Sequence, residues 1–379
     1  MIVFRRRVAE SAIDFYSHDR IDIDEVTALV LVMEFGTEEF VARFAAGGEI
    51  YLGIGGGPFD EHVLPENDKR TCSDLMAEAL GISGKKEVLH ILNFVRLNDN
   101  EGVGNKSWIS TVIKNLHDHV FPKAPVRVVN WAVKGIKAKL LDPANGDFSI
   151  DRICNVMESN PAKFRSPYYW FKTGEEAMEM AQLHFILELE NIKTGKHQIE
   201  ISRGPEARLS LAAAITGSPE ACKAARYLGF DVFIQMNDSG NCQIFTNKKK
   251  KIDLRDVARL LNIFEQRSEG VQKIFDPRTL EQSGFPYVGA KWFYFKKGQA
   301  IFNGSLTHPA PPTNLTFEQV IGAAIIGLNQ DKFHSDFKHN CKRGECAGRK
   351  CPYYGYGLLR CRGLRHTASL LSKRVAAYN

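Results

Sequence analysis

The stretch "SHDRIDIDEV", Ser17–Val26, places His18, Asp19, Asp22, Asp24 and Glu25 directly ahead of the apolar run "TALVLVMEF". Asp22 and Asp24 are two positions apart, a spacing that in an extended segment turns both carboxylates to one face. A helix start favours negative charge, so capping accounts for Asp22 or Asp24, and for Glu25. Capping does not account for His18 beside all of them, because crowded carboxylates repel unless a cation or a proton lies between them. Metal binding and plain capping both stand at this point. A second segment, "GIGGGPFDEH" (Gly53–His62), ends in Asp60, Glu61 and His62, three successive residues able to bind a hard divalent ion. Its glycines allow a sharp turn or a close approach to a phosphate. A third, "VRLNDNEGVGN", carries Asp99, Asn100 and Glu101. Each segment alone reads as a solvated turn. Together, at three expected strand-to-turn edges, they are expected to converge on one cleft.

The last part of the chain holds a different set of ligand types. Of eight cysteines, Cys341, Cys346, Cys351 and Cys361 crowd into "HNCKRGECAGRKCPYYGYGLLRCRGLRH", with His339 and His366 flanking. Four thiolates suit a tetrahedral zinc ion, and a [4Fe–4S] cluster takes four cysteines as well. Arg349, Lys350 and Arg360 lie among them with Tyr353, Tyr354 and Tyr356. Cations interleaved with aromatic faces suit single-stranded nucleic acid, with phosphates paired and bases stacked. "GSLTHPAPPTN" (Gly304–Asn314) offers Ser305, Thr307 and His308 as a weaker phosphate-holding loop. "NKKKKID" reads as a solvated turn, with a polyanionic partner as the alternative.

The elements that must position these residues alternate. "AIDFY" predicts a short strand, Val26–Phe35 a buried helix stopped by Gly36, and "EEFVARFAAGG" a further short helix. "EIYLGIGGG" predicts a buried strand running into a turn. "RTCSDLMAEALGI" predicts an amphipathic helix from an N-cap at Thr71 to a stop at Gly81. This alternation implies an α/β fold with a parallel sheet and an active edge at the strand C-termini. Residues 1–120 are expected to form that domain, 121–190 a mostly helical connector, 191–330 a smaller α/β domain, and 331–379 a basic, cysteine-rich metal-binding tail. Within the second domain "KHQIEIS" is a strand and "SPEACKAARYLG" a helix. "FDVFIQMNDSGNCQIFTN" is a hairpin turning at "DSGN", and "DLRDVARLLNIFEQ" and "TFEQVIGAAIIGLN" are helices.

The order "DxDE" opening an apolar helix, then "GGGxFDEH", "TCSDLMAEALGI" and "LNDNEG", resembles the DHH phosphoesterases, most closely their Myg-type exonuclease branch. That family reads "FHxDE", "DVGG…FDHH", a small-residue helix ending in "LGI", and a later "DN". The resemblance covers residues 12–120 in order and spacing, is looser over 190–330, and does not reach the tail. It implies a metal-dependent hydrolase, usually with Mn2+ and alternatively Mg2+, that cleaves phosphodiesters in nucleic-acid ends or short oligonucleotides. Paired ions about 4 Å apart bind the scissile phosphate and stabilise the leaving oxygen in such a scheme. The resemblance would place Asp22 and Asp24 in the first motif, Asp60 and His62 as the outer letters of the triplet, and Asp99 as the last acidic ligand. The chain departs from the pattern at three places: Asp22 stands where a histidine is expected, Gly53 where an aspartate is, and Glu61 where the middle histidine is. A rearranged ligand set using Asp22 and Glu61, a single-metal site, and a DHH-like nucleic-acid-binding protein without turnover all follow as alternatives.

The formal charge of +6 is modest, and its concentration in the tail and the lysine run points to RNA or DNA as partner. No stretch has the length and apolarity to span a bilayer, and "MIVFRRRVAES" has no apolar core after its arginines, so a cytoplasmic location is expected.

Overall fold

The computed structural model describes residues 1–65, 67–203, 207–270, 279–304, 310–330, 335–339, 350–351 and 353–361. It is a mixed α/β chain with two compact units, Met1–Leu183 and His184–Asn379. No helix among the described residues is long and apolar enough to cross a membrane.

The first unit begins with β1 (Ile2–Val8) and β2 (Ser11–Ser17), then α1 (Ile23–Phe35), α2 (Glu38–Phe44) and β3 (Glu49–Tyr51). β1 pairs antiparallel with β2, and β3 pairs parallel with β2, so the sheet is mixed rather than purely parallel. The sequence reading contains no β1, because three successive arginines interrupt its alternation. In the fold Arg5 lies across from Asp14 in a bidentate pair, at 2.7 Å for both bonds, and Ile2, Phe4 and Val8 face the core. The α1–α2 crossover brings the C-terminal ends of β2 and β3 to one edge, where Leu52 N–H donates to the Tyr16 carbonyl at 2.9 Å. α3 (Cys72–Ala79) and α4 (Lys86–Glu101) follow, then α5 (Ile109–Asn115), α6 (Pro125–Leu140) and α7 (Ile150–Glu158). α8 (Pro167–Thr194) runs past the end of the unit.

The helices expected as a connector over 121–190 are part of this first core as far as Ala177. Their register is held by a reciprocal pair. Trp131 and Trp170 stack at 4.5 Å between centroids, and each indole N–H donates to the other's backbone carbonyl at 2.8 Å. Two large apolar faces are buried this way without leaving a polar atom unpaired. A propensity reading sees the helices but not this long-range pairing.

The second unit contains β4 (His197–Ser202), β5 (Arg208–Ile215), α9 (Ala221–Tyr227), β6 (Val232–Met236), β7 (Cys242–Thr246), α10 (Arg255–Ser268), β8 (Trp292–Phe295), β9 (Ala300–Asn303) and α11 (Phe317–Leu328). Its sheet runs β4-β5-β6-β7-β9-β8, with β5 and β6 parallel and every other pair antiparallel. The expected hairpin is β6–β7, closed by Asn237 N–H to the Asn241 carbonyl, with Gly240 at φ 84° supplying the left-handed turn. α10 and α11 cover one face of the sheet. They cross so closely that a Cβ at Gly327 would lie 2.8 Å from the Val257 backbone nitrogen.

Part of the expected tail belongs to this second core. Leu358 is fully buried and Tyr356 nearly so, on the face made by α10 and α11. Asp256 accepts the Leu359 N–H with both oxygens, at 3.1 and 3.0 Å, and Arg259 donates to the Gly357 carbonyl and pairs with Asp256 and Glu281. Residues 353–361 are therefore structural, and Leu358→Ala is expected to destabilise the second unit by about 2–5 kcal/mol. Urea unfolding followed by tryptophan fluorescence measures it; a shift under about 1 kcal/mol would show that this segment merely rests on the surface.

Candidate metal centre

The acidic cluster forms at the edge where β2 and β3 end. Asp22 is the N-cap of α1: its Oδ1 accepts the Asp24 N–H at 2.8 Å, and Glu25 Oε2 accepts the Asp22 N–H at 2.9 Å. This is a capping box, so Asp22 and Asp24 do not share an extended segment as the spacing suggested. Asp24 lies inside the first turn of α1, and its carboxylate crosses to the start of α3. There Oδ2 accepts the Cys72 N–H at 2.7 Å and Oδ1 the Ser73 N–H at 2.8 Å. The free N–H groups and positive end of α3 make that a natural place for an anion. α3 is itself fixed by the Thr71–Asp74 capping box and by Arg96 of α4, which grips Asp74 with Nε and Nη2.

The turn after β3 supplies the second group. Gly53 and Gly55 have φ of 64° and 81°, which bend the chain back. Asp60 organises this turn: Oδ2 accepts the Gly56 N–H at 2.8 Å and Oδ1 the His62 N–H at 3.0 Å. Glu61, not Asp60, faces Asp24. One ligand atom from each of Asp24, Glu61 and Cys72 lies within 4.8 Å of the other two. Glu61 Oε2 is buried and has no hydrogen-bond partner among the described residues. His62 is exposed, with Nε2 at 3.4 Å from Glu61 Oε1. His18, just past β2, points Nε2 at the Gly53 carbonyl at 3.0 Å and lies 3.9 Å from Glu25. A carbonyl only accepts, so Nε2 is the donor in this contact, and Nδ1 is the ring nitrogen turned away from it.

Asp99 sits in the last turn of α4 rather than at a strand edge, with Gly102 in the left-handed cap beyond it. Burial of its carboxyl raises its pKa, and the Asp22 charge adds to that, against Lys114 and His62. For Asp24, burial first and then Asp22 and Glu61 push the pKa well above the ordinary range, although Ser73 pulls the other way. Burial, then Asp22 and Asp24, likewise raise Glu25, and burial with Asp60 and Asp99 raises Glu61. The Cys72 thiol is pushed far up by burial and by Asp24, Glu61 and Glu25. These carboxyls raise one another, with Lys114 and His62 opposing only in part, and one buried oxygen, Glu61 Oε2, is unpaired among the described residues. The donor set, two carboxylates and a thiol, is one that could hold a cation.

Glu25 and Cys72 were absent from the ligand set read from the sequence. The signal for Cys72 was its place immediately after the Thr71 N-cap, where the backbone must meet an acceptor. His117 was also absent. It is buried, with Nε2 at 3.0 Å from the Ile21 carbonyl, and burial lowers its pKa, so a neutral ring stands beside Asp22.

Of the tail ligands, Cys351 and Cys361 are partly exposed, while Cys341, Cys346 and Arg349 lie outside the described residues, as do Ser305, Thr307 and His308. Lys350 is exposed. Arg360, expected at a phosphate, donates instead to the Ile326 carbonyl of α11. Tyr356, expected to stack on bases, packs its ring edge-on to Phe264 and under Arg267. Both are used by the protein's own core, which a linear run of cations and aromatics cannot reveal.

The raised carboxyls bind protons more tightly folded than unfolded, so their ionisation opposes folding. In metal-free protein this costs stability as pH rises above the ordinary values of 3.8 for Asp and 4.5 for Glu and through the raised ones. With EDTA present, the thermal midpoint is expected to rise as pH is lowered from about 8 to about 5, and added Mn2+ should raise it most at the higher pH. Glu61→Gln should raise the metal-free midpoint at about pH 8 and shrink the gain from Mn2+. Circular dichroism melts read both, and a midpoint that falls steadily over this range would contradict the carboxyl assignment.

The chain matches no protein-family model and no curated protein.

Proposed function

We propose that the first unit is a divalent-metal-dependent phosphoesterase that hydrolyses phosphodiester bonds in nucleic-acid ends or short oligonucleotides. The observation that carries this reading is the meeting of Asp24, Glu61 and Cys72, from three separate segments, with one buried Glu61 oxygen unpaired among the described residues and Asp22 and Asp99 near enough for Asp22 to raise the pKa of Asp24 and Asp99, and Asp99 that of Glu61. The order of these segments along the chain is that of the DHH phosphoesterases. Asp24 and Glu61 would hold the ion, Mn2+ or Mg2+, with Asp22, Asp99 and His18 Nδ1 bordering them. A bound divalent ion supplies Lewis-acid polarisation of the phosphoryl group and activation of water. The chain's own contribution is to hold Asp24 rigid against α3, to keep Glu61 buried, and to present His62 at the open rim. There its imidazole can pass a proton to a leaving oxygen.

Gly53 bears on the missing family aspartate. A Cβ there would lie 3.1 Å from Glu25 Oε1, so the Glu25 carboxylate already occupies the space beside that position. The second reading, a catalytically impaired DHH-like protein that binds nucleic acid, is favoured by Asp60, whose two oxygens both serve its own turn.

We assign Cys341, Cys346, Cys351 and Cys361 to a zinc site, with an iron–sulfur cluster as the alternative, and place the protein's work in the cytoplasm. Hydrolysis of an end-labelled oligonucleotide with Mn2+ tests the main reading. Asp24→Asn and Glu61→Gln should each lower kcat by about a hundredfold or more. Wild-type binding without product would establish the second reading. Elemental analysis should give manganese that Glu61→Gln reduces, and zinc that Cys351→Ser reduces.

A further inference from the structure

The six-stranded sheet of the second unit has two unlike halves on the face opposite α10 and α11. At β5 and β6 that face is covered: Ala212, Ala214 and Phe233 pack with Ile192, Ala221 and Ala225 from α8 and α9. At β7, β9 and β8 it carries a row of rings. The pairings Gln243↔Phe302 and Phe293↔Phe302 put Phe302 and Phe293 side by side on it, and Phe245 meets Phe302 edge-on at 5.7 Å. These three are half-buried, Phe245 also against the cluster at β5 and β6 and Phe293 edge-on to Phe285 at 5.3 Å, and Phe295, next along β8, is 41% exposed. Phe295 lies over the β8–β9 turn in contact with Gly298, where any Cβ would collide with its ring.

At the end of this row two lysine turns meet. One is Lys248–Lys251, after β7; the other is Lys296–Lys297, between β8 and β9. They are tied together by Gln299, whose side-chain amide donates to the Lys248 carbonyl at 3.2 Å and whose own carbonyl accepts from Thr246 Oγ1 at 2.7 Å. Lys251 and Gln299 are both held in the left-handed region, at φ 48° and 51°, so each turn is a fixed shape. Lys250 pairs with Asp231 at 3.7 Å, and the other five make no ion pair among the described residues. The run "KKKK" alone reads as a solvated turn, but the fold doubles it and sets it beside exposed and half-exposed rings.

We infer that this half-sheet, Phe245–Phe302–Phe293–Phe295 with the paired lysine turns, is a binding surface for single-stranded nucleic acid. Unpaired bases have flat apolar faces that stack on rings presented by a sheet, and their phosphates match a cationic rim. A duplex hides its bases, and an anionic lipid surface would use the lysines but leave the row of rings without bases to stack on. The inference rests on the nucleic-acid reading above for the polymer's identity, and it assigns the grip to the second unit's sheet rather than to Tyr356 and Arg360.

Fluorescence anisotropy with a labelled fifteen-nucleotide oligothymidylate, on the full chain in EDTA, separates binding from hydrolysis. The variant Lys248→Ala/Lys249→Ala/Lys296→Ala/Lys297→Ala is expected to weaken binding about tenfold or more and to flatten the salt dependence by up to about 3 in log–log slope. Phe295→Ala should weaken binding about fivefold and leave the slope unchanged. Equal affinity and slope for wild type and the lysine variant would overturn the inference. So would lysine-dependent binding to phosphatidylserine vesicles with no binding to the oligonucleotide. Hydrolysis with Mn2+ is scored apart: lysine-dependent binding without hydrolysis refutes the hydrolase and keeps this surface, and hydrolysis unaffected by the lysines does the reverse.

Discussion

The first unit depends on one buried contact, the Asp24 carboxylate against the N-terminus of α3. Its two hydrogen bonds to the Cys72 and Ser73 amides satisfy both oxygens of a group that is only 3% exposed. The two bonds join α1 to α3 across forty-eight residues of chain. The same placement forces Asp24 against Asp22, Glu61 and the Cys72 thiol. What locks the helices together is thus also what concentrates negative charge at the edge of the sheet. A shared cation would relieve this conflict by stabilising the ionised form of every group at once, at the Glu61 oxygen that is unpaired among the described residues above all.

The second unit is organised by the opposite device, buried ions that are already paired. Glu265 is 1% exposed and accepts from Lys291, Trp292, Thr313 and the Asn314 amide. Arg259 is 2% exposed and reaches Asp256, Glu281 and the Gly357 carbonyl. These networks pin Thr313, Asn314 and residues 353–361 to α10. One face of the sheet is consumed in this way. On the other face the ring row of β7, β9 and β8 runs toward the lysine turns.

Much of this was legible in the chain. The apolar run after Asp22, the Thr71 start and Gly81 stop of α3, and the "DSGN" hairpin all follow from local rules, because capping, turn conformation and helical period act over a few residues. β1 was not legible: its arginines look like a surface run until Asp14 lies beside Arg5. Asp99 was placed at a turn because its neighbours are polar, whereas α4 carries that polar segment as its exposed last turn. Arg360 and Tyr356 looked like ligand-binding groups and are core members, since a sequence records a side chain's charge or ring but not whether the protein's own backbone is its partner.

By itself the sequence determined several elements, among them α1, α3, the β6–β7 hairpin, α10 and α11, and the candidates for a cation site, for these depend on residue type and short spacing. Only the tertiary structure decided that Glu61 rather than Asp60 faces Asp24, that Cys72 joins them, and that two separate lysine turns adjoin one row of rings. The reason is physical: an acid two residues from another chooses between its own turn and a distant helix end by which unpaired N–H groups the fold delivers to it, and that delivery is set by packing across the whole unit.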